Sequence, residues 1–252
     1  MVPNLQYKLS DYENRSHTKL LPNLPLIIKI NGRNFQKLTS QVEKPYSEIL
    51  AECFHSVLHR LCIEIQGTVF GYTYNDTFVI VVINKDENPW YDNDTQKVAS
   101  AVSSLATFYF YENILSREIN ISLDIAFISS VFVVPNIADV INLLTLYQLE
   151  NIKLSTYFAC LYNLIEHEEL PKEQAQLTLQ RLTIEDKLEF LQNKFQIDYS
   201  SYPPSFRLGV ACYRIAKTIN GTTRYKLSLV KNCFLFAEEF EILEKILSET
   251  NE

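Results

Sequence analysis

Apolar residues in this chain come as short β-branched runs and as longer stretches with apolar positions every three or four residues. The first short run, 24–30, is isoleucine-rich and too short for a typical helix, which predicts a buried strand with Asn31 at its exit. A polar stretch ending in Glu43-Lys44-Pro45 follows. Residues 47–65 then space Ile49, Leu50, Phe54, Val57, Leu58 and Leu61 as one helical face packed on a sheet. Two apolar runs within 68–83 are broken by Asn75-Asp76, predicting a hairpin with a polar tip. An Asn/Asp-rich loop at 85–94 leads to a helix over 95–114. The β-branched run 121–135, with Asp124 inside it, reads as one long strand or two. Strand, helix, hairpin, helix, strand is the order of a split βαβ sheet of the palm type, with helices on one face: an α+β fold.

From 136 onward the spacing turns helical, over 136–148, 151–167, 171–180 and 183–195, with Pro171 suited to the first turn of its helix. Residues 206–217 and 222–231 flank Ile219-Asn220-Gly221, a strong short hairpin signal. A last amphipathic helix covers 237–247. The chain thus divides into a palm-like part, 1–135, and a helical and hairpin part, 136–252. The absence of a Gly/Ser linker predicts that the two pack together.

With 252 residues and 47% hydrophobic content the chain can bury a sizeable core. Its net charge of −7 argues against a generic RNA binder, because non-specific affinity for nucleic acid comes from Lys and Arg neutralising phosphates. A local cluster, Arg207, Arg214, Lys217, Arg224, Lys226 and Lys231 with Tyr213 and Tyr225, is either a nucleic-acid contact or a solvated strand face. No apolar run approaches the roughly 18 residues of a membrane span, and residues 1–20 lack the apolar core of a secretory signal, so the expectation is a cytoplasmic protein without a membrane partner. Five widely spaced cysteines predict reduced core thiols rather than a disulfide framework.

Asn31-Gly32 at a strand exit and Asn75-Asp76 at a hairpin tip lie close together in such a sheet, and together they look like a two-metal phosphoryl-transfer site short of a carboxylate. Two Mg²⁺ ions bridging substrate phosphates need hard oxygen ligands, at least two of them carboxylates. Asp76 supplies one, Asn31 only a neutral amide oxygen, and Gly32 a main-chain carbonyl that its missing Cβ leaves approachable. The plain alternative is that Asn-Gly and Asn-Asp are turn formers. His55, His59 and Cys62 share one helical face at metal-ligand spacing but have no fourth ligand in view, and read rather as buried or half-buried packed side chains. Taken alone, Lys44, Lys97 and Lys187 read as solvated charges and Ser104 as a helix-face packing residue.

The motifs in order resemble the tRNA-histidine guanylyltransferase family, the 3′-to-5′ polymerases that extend RNA 5′ ends. The opening Asp-Gly-Arg-x-Phe-His-x-Phe reads here Asn31-Gly32-Arg33-Asn34-Phe35-Gln36-Lys37-Leu38, followed by Lys44-Pro45. The hairpin Ser-Asp-Glu reads Asn75-Asp76-Thr77, and Lys97 and Ser104 stand on the next helix. Ala175-Gln176, Asp186-Lys187-Leu188-Glu189, Phe195, Tyr199 and Phe206-Arg207-Leu208-Gly209 continue the match. The resemblance implies a polymerase-like palm, Mg²⁺ at Asn31, Gly32 and Asp76, and ATP or GTP as substrate. It further implies that Asp76 and Asn31 occupy the catalytic positions, and that Gly32, Arg33, Asn34, Phe35, Gln36, Lys44, Asn75, Lys97, Ser104 and Lys187 contact the nucleotide. A tRNA or other RNA 5′ end as partner and a homo-oligomer, dimer or tetramer, follow from it as well.

Departures gather where the chemistry belongs: Asp becomes Asn31, His becomes Gln36, Glu becomes Thr77, and the family's Arg-Gln-x-Asp-x-His-x-Asn-Asn reads Tyr147-Gln148-Leu149-Glu150-Asn151-Ile152-Lys153-Leu154-Ser155. Losing a metal-ligating carboxylate costs on the order of 10²-fold in rate or more. The expectation is a nucleotidyltransferase with weakened or absent catalysis, the alternative being a pseudoenzyme that binds nucleotide, RNA or a protein partner.

Overall fold

The computed structural model describes residues 3–83, 88–117, 124–219 and 222–248. A helix α1 (Pro3–Ser16) precedes β1 (Leu26–Arg33), a short α2 (Gln36–Thr39), α3 (Glu48–Glu64), the hairpin β2 (Thr68–Tyr74) and β3 (Thr77–Val82), α4 (Thr95–Leu115) and β4 (Ala126–Val133). Then come α5 (Ile137–His167), α6 (Lys172–Leu179), α7 (Ile184–Phe195), α8 (Pro204–Leu208), β5 (Val210–Ile219), β6 (Thr222–Val230) and α9 (Phe240–Ser248). All six strands form one antiparallel sheet in the order β4-β1-β3-β2-β5-β6. The first four strands with α3 and α4 make the split βαβ unit expected from the run pattern.

Two differences from the sequence expectation have physical causes. The palm helices α3 and α4 lie on one sheet face as expected, and the C-terminal part covers the other: β2 and β3 are buried along their whole length, and strands apolar on both faces need two covering layers. Ile28, Ile30, Phe78 and Ile80 pack under α3 and α4, while Ile27, Tyr72, Val79 and Val81 pack under α5 and α9. The stretches 136–148 and 151–167 are one continuous 31-residue helix, α5, because nothing between Gln148 and Asn151 breaks a helix. Asp124 precedes β4 rather than lying within it, and the expected start of that strand at 121–123 lies outside the described residues, as does the Asn220-Gly221 turn. The C-terminal hairpin hydrogen-bonds to β2, so the sheet runs unbroken from the first half of the chain into the second.

Local capping fixes the helices that frame the site. Ser47 accepts from Leu50 N at the start of α3, Asp94 accepts from Gln96 N and Lys97 N at α4, and Asn136 accepts from Asp139 N at α5. Thr183 and Asp186 form a reciprocal capping box on α7. Pro171 stands at the N-cap of α6, one position before the first turn proposed for it. Gly71 lets α3 lie close on β2, since a Cβ there would collide with Cys62 Sγ. All five cysteines are free and buried, and among the described residues no helix is long and apolar enough to cross a membrane.

Candidate functional site

The β2–β3 turn consists of two residues, Asn75 in the left-handed region (φ 48°) and Asp76, and it projects beside the end of β1. Gly32 N donates to Asp76 O at 2.9 Å, pinning the turn to β1. A Cβ on Gly32 would lie 2.5 Å from Phe35 Cε2 and 2.7 Å from Asp76 Oδ2, so the Asp76 carboxylate rests directly on the glycine. Burial of that carboxylate raises its pKa, a backbone hydrogen bond of Asp76 opposes the shift, and among the described residues no cationic side chain counters it. Asn31 sits within β1, opposite Thr77, rather than at the strand's exit, and its Oδ1 accepts from Thr77 Oγ1 at 3.4 Å. Strand alternation turns Asn31 and Thr77 toward the sheet face of Ile27, while Asp76 and Gly32 meet on the face of Ile30.

Asp76 opens onto a cavity of about 520 Å³ between the α2–α3 loop, the inner face of α3, the hairpin tip, the second half of α5 and the starts of α6 and α8. Its cations are Lys44, which follows the α2 turn at a cis peptide with Pro45, and Lys172 at the first position of α6. Among the described residues neither lysine has a carboxylate within 4.0 Å. Burial and the nearby Lys172 charge lower the Lys44 pKa. Aromatic rings of Tyr46, Phe158, Tyr162 and Phe206 line the same space, with Lys44 Nζ 5.2 Å over the Tyr162 ring. His55 lines it too, and burial holds that imidazole down to about 4.

Of the residues picked out from sequence, Phe35, Gln36, Lys44, Asn75 and Asp76 line this cavity, and Asn31 and Gly32 adjoin it through β1. Others are not brought to it. Arg33 is exposed at the end of β1, and Asn34 Nδ2 is bound to Asp124 O at 2.9 Å. Lys97 and Ser104 lie exposed on α4, and Lys187 Nζ donates to Leu182 O in the helical cluster of α5, α6 and α7. His59 Nε2 lies 3.3 Å from Leu227 O, Cys62 is buried against Gly71, and no three metal-ligating side chains converge among the described residues. Arg214 and Lys226 point to opposite sheet faces, and Arg207 Nε donates to Tyr202 O, so these three basic residues form no single patch. Sequence reading missed Lys172, Tyr162 and Ser205; the one available signal was Lys172 directly after Pro171 at a helix start.

The segment around 148 braces the fold. Gln148 Nε2 donates to Phe234 O and its Oε1 accepts from Phe236 N, while Asn151 Nδ2 donates to Arg207 O. Tyr74 OH donates to Glu150 Oε2 at 2.8 Å and its ring stacks on Tyr147, closing α5 over the hairpin.

Comparison with known proteins agrees with this architecture. The family model described as "tRNAHis guanylyltransferase" matches residues 6–135, and that of the "Thg1 C terminal domain" matches 148–241. "tRNA(His) guanylyltransferase 2" of Arabidopsis thaliana is 27% identical over 210 residues, covering 82% of this chain and 38% of that protein. "Probable tRNA(His) guanylyltransferase" of Drosophila melanogaster is 24% identical over 240 residues, covering 92% and 82%. This chain spans about two fifths of the length of the Arabidopsis relatives it matches. A bacterial tRNA(His) guanylyltransferase (Thg1)-like protein, solved in complex with ATP, superposes with a TM-score of 0.81 at 24% identity, covering 97% of this chain and 99% of that one. The Saccharomyces cerevisiae enzyme superposes at 0.72 and 15% identity, covering 86% and 95%. With family models covering both halves of the sheet and the helices between them, the chain belongs to the tRNAHis guanylyltransferase family.

Proposed function

We propose that this chain binds a nucleoside triphosphate in the cavity beside Asp76 and is a nucleotidyltransferase toward RNA 5′ ends whose transfer step is strongly weakened. The observation that carries the reading is the pair Lys44 and Lys172, two like charges facing one partly aromatic cavity that also holds Glu43 and Asp76, neither lysine having a carboxylate within 4.0 Å among the described residues. Side by side they repel, and a polyphosphate relieves both the repulsion and the lost hydration. An RNA 5′ end as second substrate, a cytoplasmic location and a homo-oligomeric state come with the family reading.

The donor set suits one hard cation better than two. Asp76 contributes a buried carboxylate with no ion-pair partner among the described residues, and the Gly32 carbonyl and Asn31 amide oxygen are neutral. Asp76 and the Gly32 carbonyl would hold Mg²⁺, which when bound would neutralise phosphate charge, whereas the Asn31 side chain faces the other side of the sheet. Lys44 and Lys172 bind and orient the phosphates, Phe35 fixes Gly32 against Asp76, and the aromatic walls exclude water. The position that would carry the second metal-binding carboxylate bears Asn31, and Thr77 occupies its hydrogen bond instead.

Incubation with labelled ATP or GTP, Mg²⁺ and 5′-phosphorylated RNA tests the reading, with calorimetry alongside. The expected result is triphosphate binding that Lys44→Ala and Lys172→Ala each weaken about tenfold, with transfer slower by roughly 10²-fold than in an Asn31→Asp/Thr77→Glu variant. Transfer by the native chain no faster than by Asp76→Ala, with binding intact, would favour the second reading, a nucleotide-binding pseudoenzyme, to which the neutral Thr77–Asn31 bond already points.

A further inference from the structure

His55 lies on the face of α3 that lines the cavity, with Leu50, Ala51 and Phe54, and only 7% of it is exposed. Its Nδ1 is the one buried side-chain nitrogen or oxygen among the described residues with no hydrogen-bond partner. Folded proteins seldom leave such an atom unpaired, because a buried polar group without a partner forfeits its hydration for nothing. The ring is also neutral: burial, reinforced by the Lys231 charge, keeps it from protonating near pH 7. A neutral imidazole offers one N–H donor and one lone pair; the edge of an uncharged heterocycle can use either, whereas a phosphate can use only the donor. Phosphate recognition in this cavity falls to Lys44 and Lys172, and flat apolar contact to Phe158, Tyr162 and Phe206. A nucleotide offers both kinds of group, an anionic chain and a planar ring with hydrogen-bonding edges.

We propose that His55 is the base-recognition residue of this cavity, its free Nδ1 pairing with a ring or exocyclic polar atom of the bound nucleotide's base. The inference rests on the cavity being a triphosphate site, and its experiment separates the two. Equilibrium binding of ATP, GTP, CTP, UTP and inorganic tripolyphosphate is measured on the full chain with its native sequence, on His55→Leu and on His55→Asn. The native chain should prefer one base by at least about tenfold, the scale set by one buried hydrogen bond. His55→Leu should bind the four nucleotides within about threefold of each other, His55→Asn should regain part of the preference, and tripolyphosphate should bind all three proteins alike. An unchanged base ranking in His55→Leu would overturn the inference and leave the triphosphate reading standing. Loss of tripolyphosphate binding in that variant would also overturn it, marking His55 as a packing residue. If the native chain bound no triphosphate, both would fall.

Discussion

Thr77 Oγ1 donates to Asn31 Oδ1 across the β1–β3 pair, so two neutral side chains are bonded to one another next to the Asp76 turn. Two carboxylates in those places would repel unless a cation sat between them, whereas a hydroxyl and an amide are content without one. The Asn31→Asp/Thr77→Glu variant should therefore melt several degrees below the native chain in EDTA and recover most of that loss in millimolar Mg²⁺ or Mn²⁺. The native chain should shift by no more than a degree or two. Thermal melts with and without the cation measure this directly.

Asp76 is the acidic group whose burial works against the fold. Its folded-state pKa is raised, so the folded protein binds its proton more tightly than the unfolded chain does. The penalty is absent while both states are protonated and complete once the pH exceeds the folded value. Asp76→Asn should melt higher than the native chain at pH 7, the gap closing as the pH falls toward 3.8, and should lose its response to divalent cations. A lower melting temperature at pH 7 would show the carboxylate to be stabilising instead.

His55 works in the opposite sense. Its pKa is about 4 in the folded chain against 6.5 for the free residue, with burial the larger cause, Lys231 adding to it and Glu52 opposing it. The unfolded chain gains the extra proton as the pH drops through 6.5, so stability present above that value drains away until about pH 4. The full loss is on the order of 3 kcal/mol. Denaturant titrations of His55→Leu and the native chain should diverge over that window, the variant's acid limb being the flatter.

Gly32→Ala would set a Cβ against both the Phe35 ring and the Asp76 carboxylate. Phe35 is held by Phe54, Phe110 and Phe127 at centroid distances of 5.6, 5.1 and 5.3 Å, so it has little room to yield. A destabilisation of about 1–3 kcal/mol is expected, the range for overpacking a filled core. Urea unfolding would register it, and a loss below a few tenths of a kcal/mol would mean that the ring moves freely.

The sheet was legible because its strands are written as β-branched runs, and the Asn75-Asp76 turn because few residues accept its backbone. What sequence could not convey was company. Lys44 and Lys172 are 128 positions apart and meet only because α6 starts where the cis Lys44-Pro45 loop ends its excursion. Lys187, picked out for its place in a motif, spends its ammonium on the Leu182 carbonyl. His55, His59 and Cys62 share a helical face whose spacing a metal could use, but packing is the better reading, and the three side chains go to different neighbours: the cavity, β6 and Gly71. Two stretches of α5 looked like separate helices because the apolar stripe changes partners near Glu150, from the sheet to the α6–α7 cluster, and a stripe that rotates resembles a break.

That single rod has a mechanical meaning. Val140 and Leu144 seat its first half on the sheet, while Phe158 and Tyr162 on its second half wall the cavity, so the wall cannot swing outward without prising the same helix off the strands. The opposite bank is built differently: the tether between α2 and α3 that carries Glu43, Lys44 and Pro45 is neither helix nor strand, and it is fastened to α8 by side chains, Tyr46 OH to Ser205 Oγ and the Tyr46 ring to Phe206.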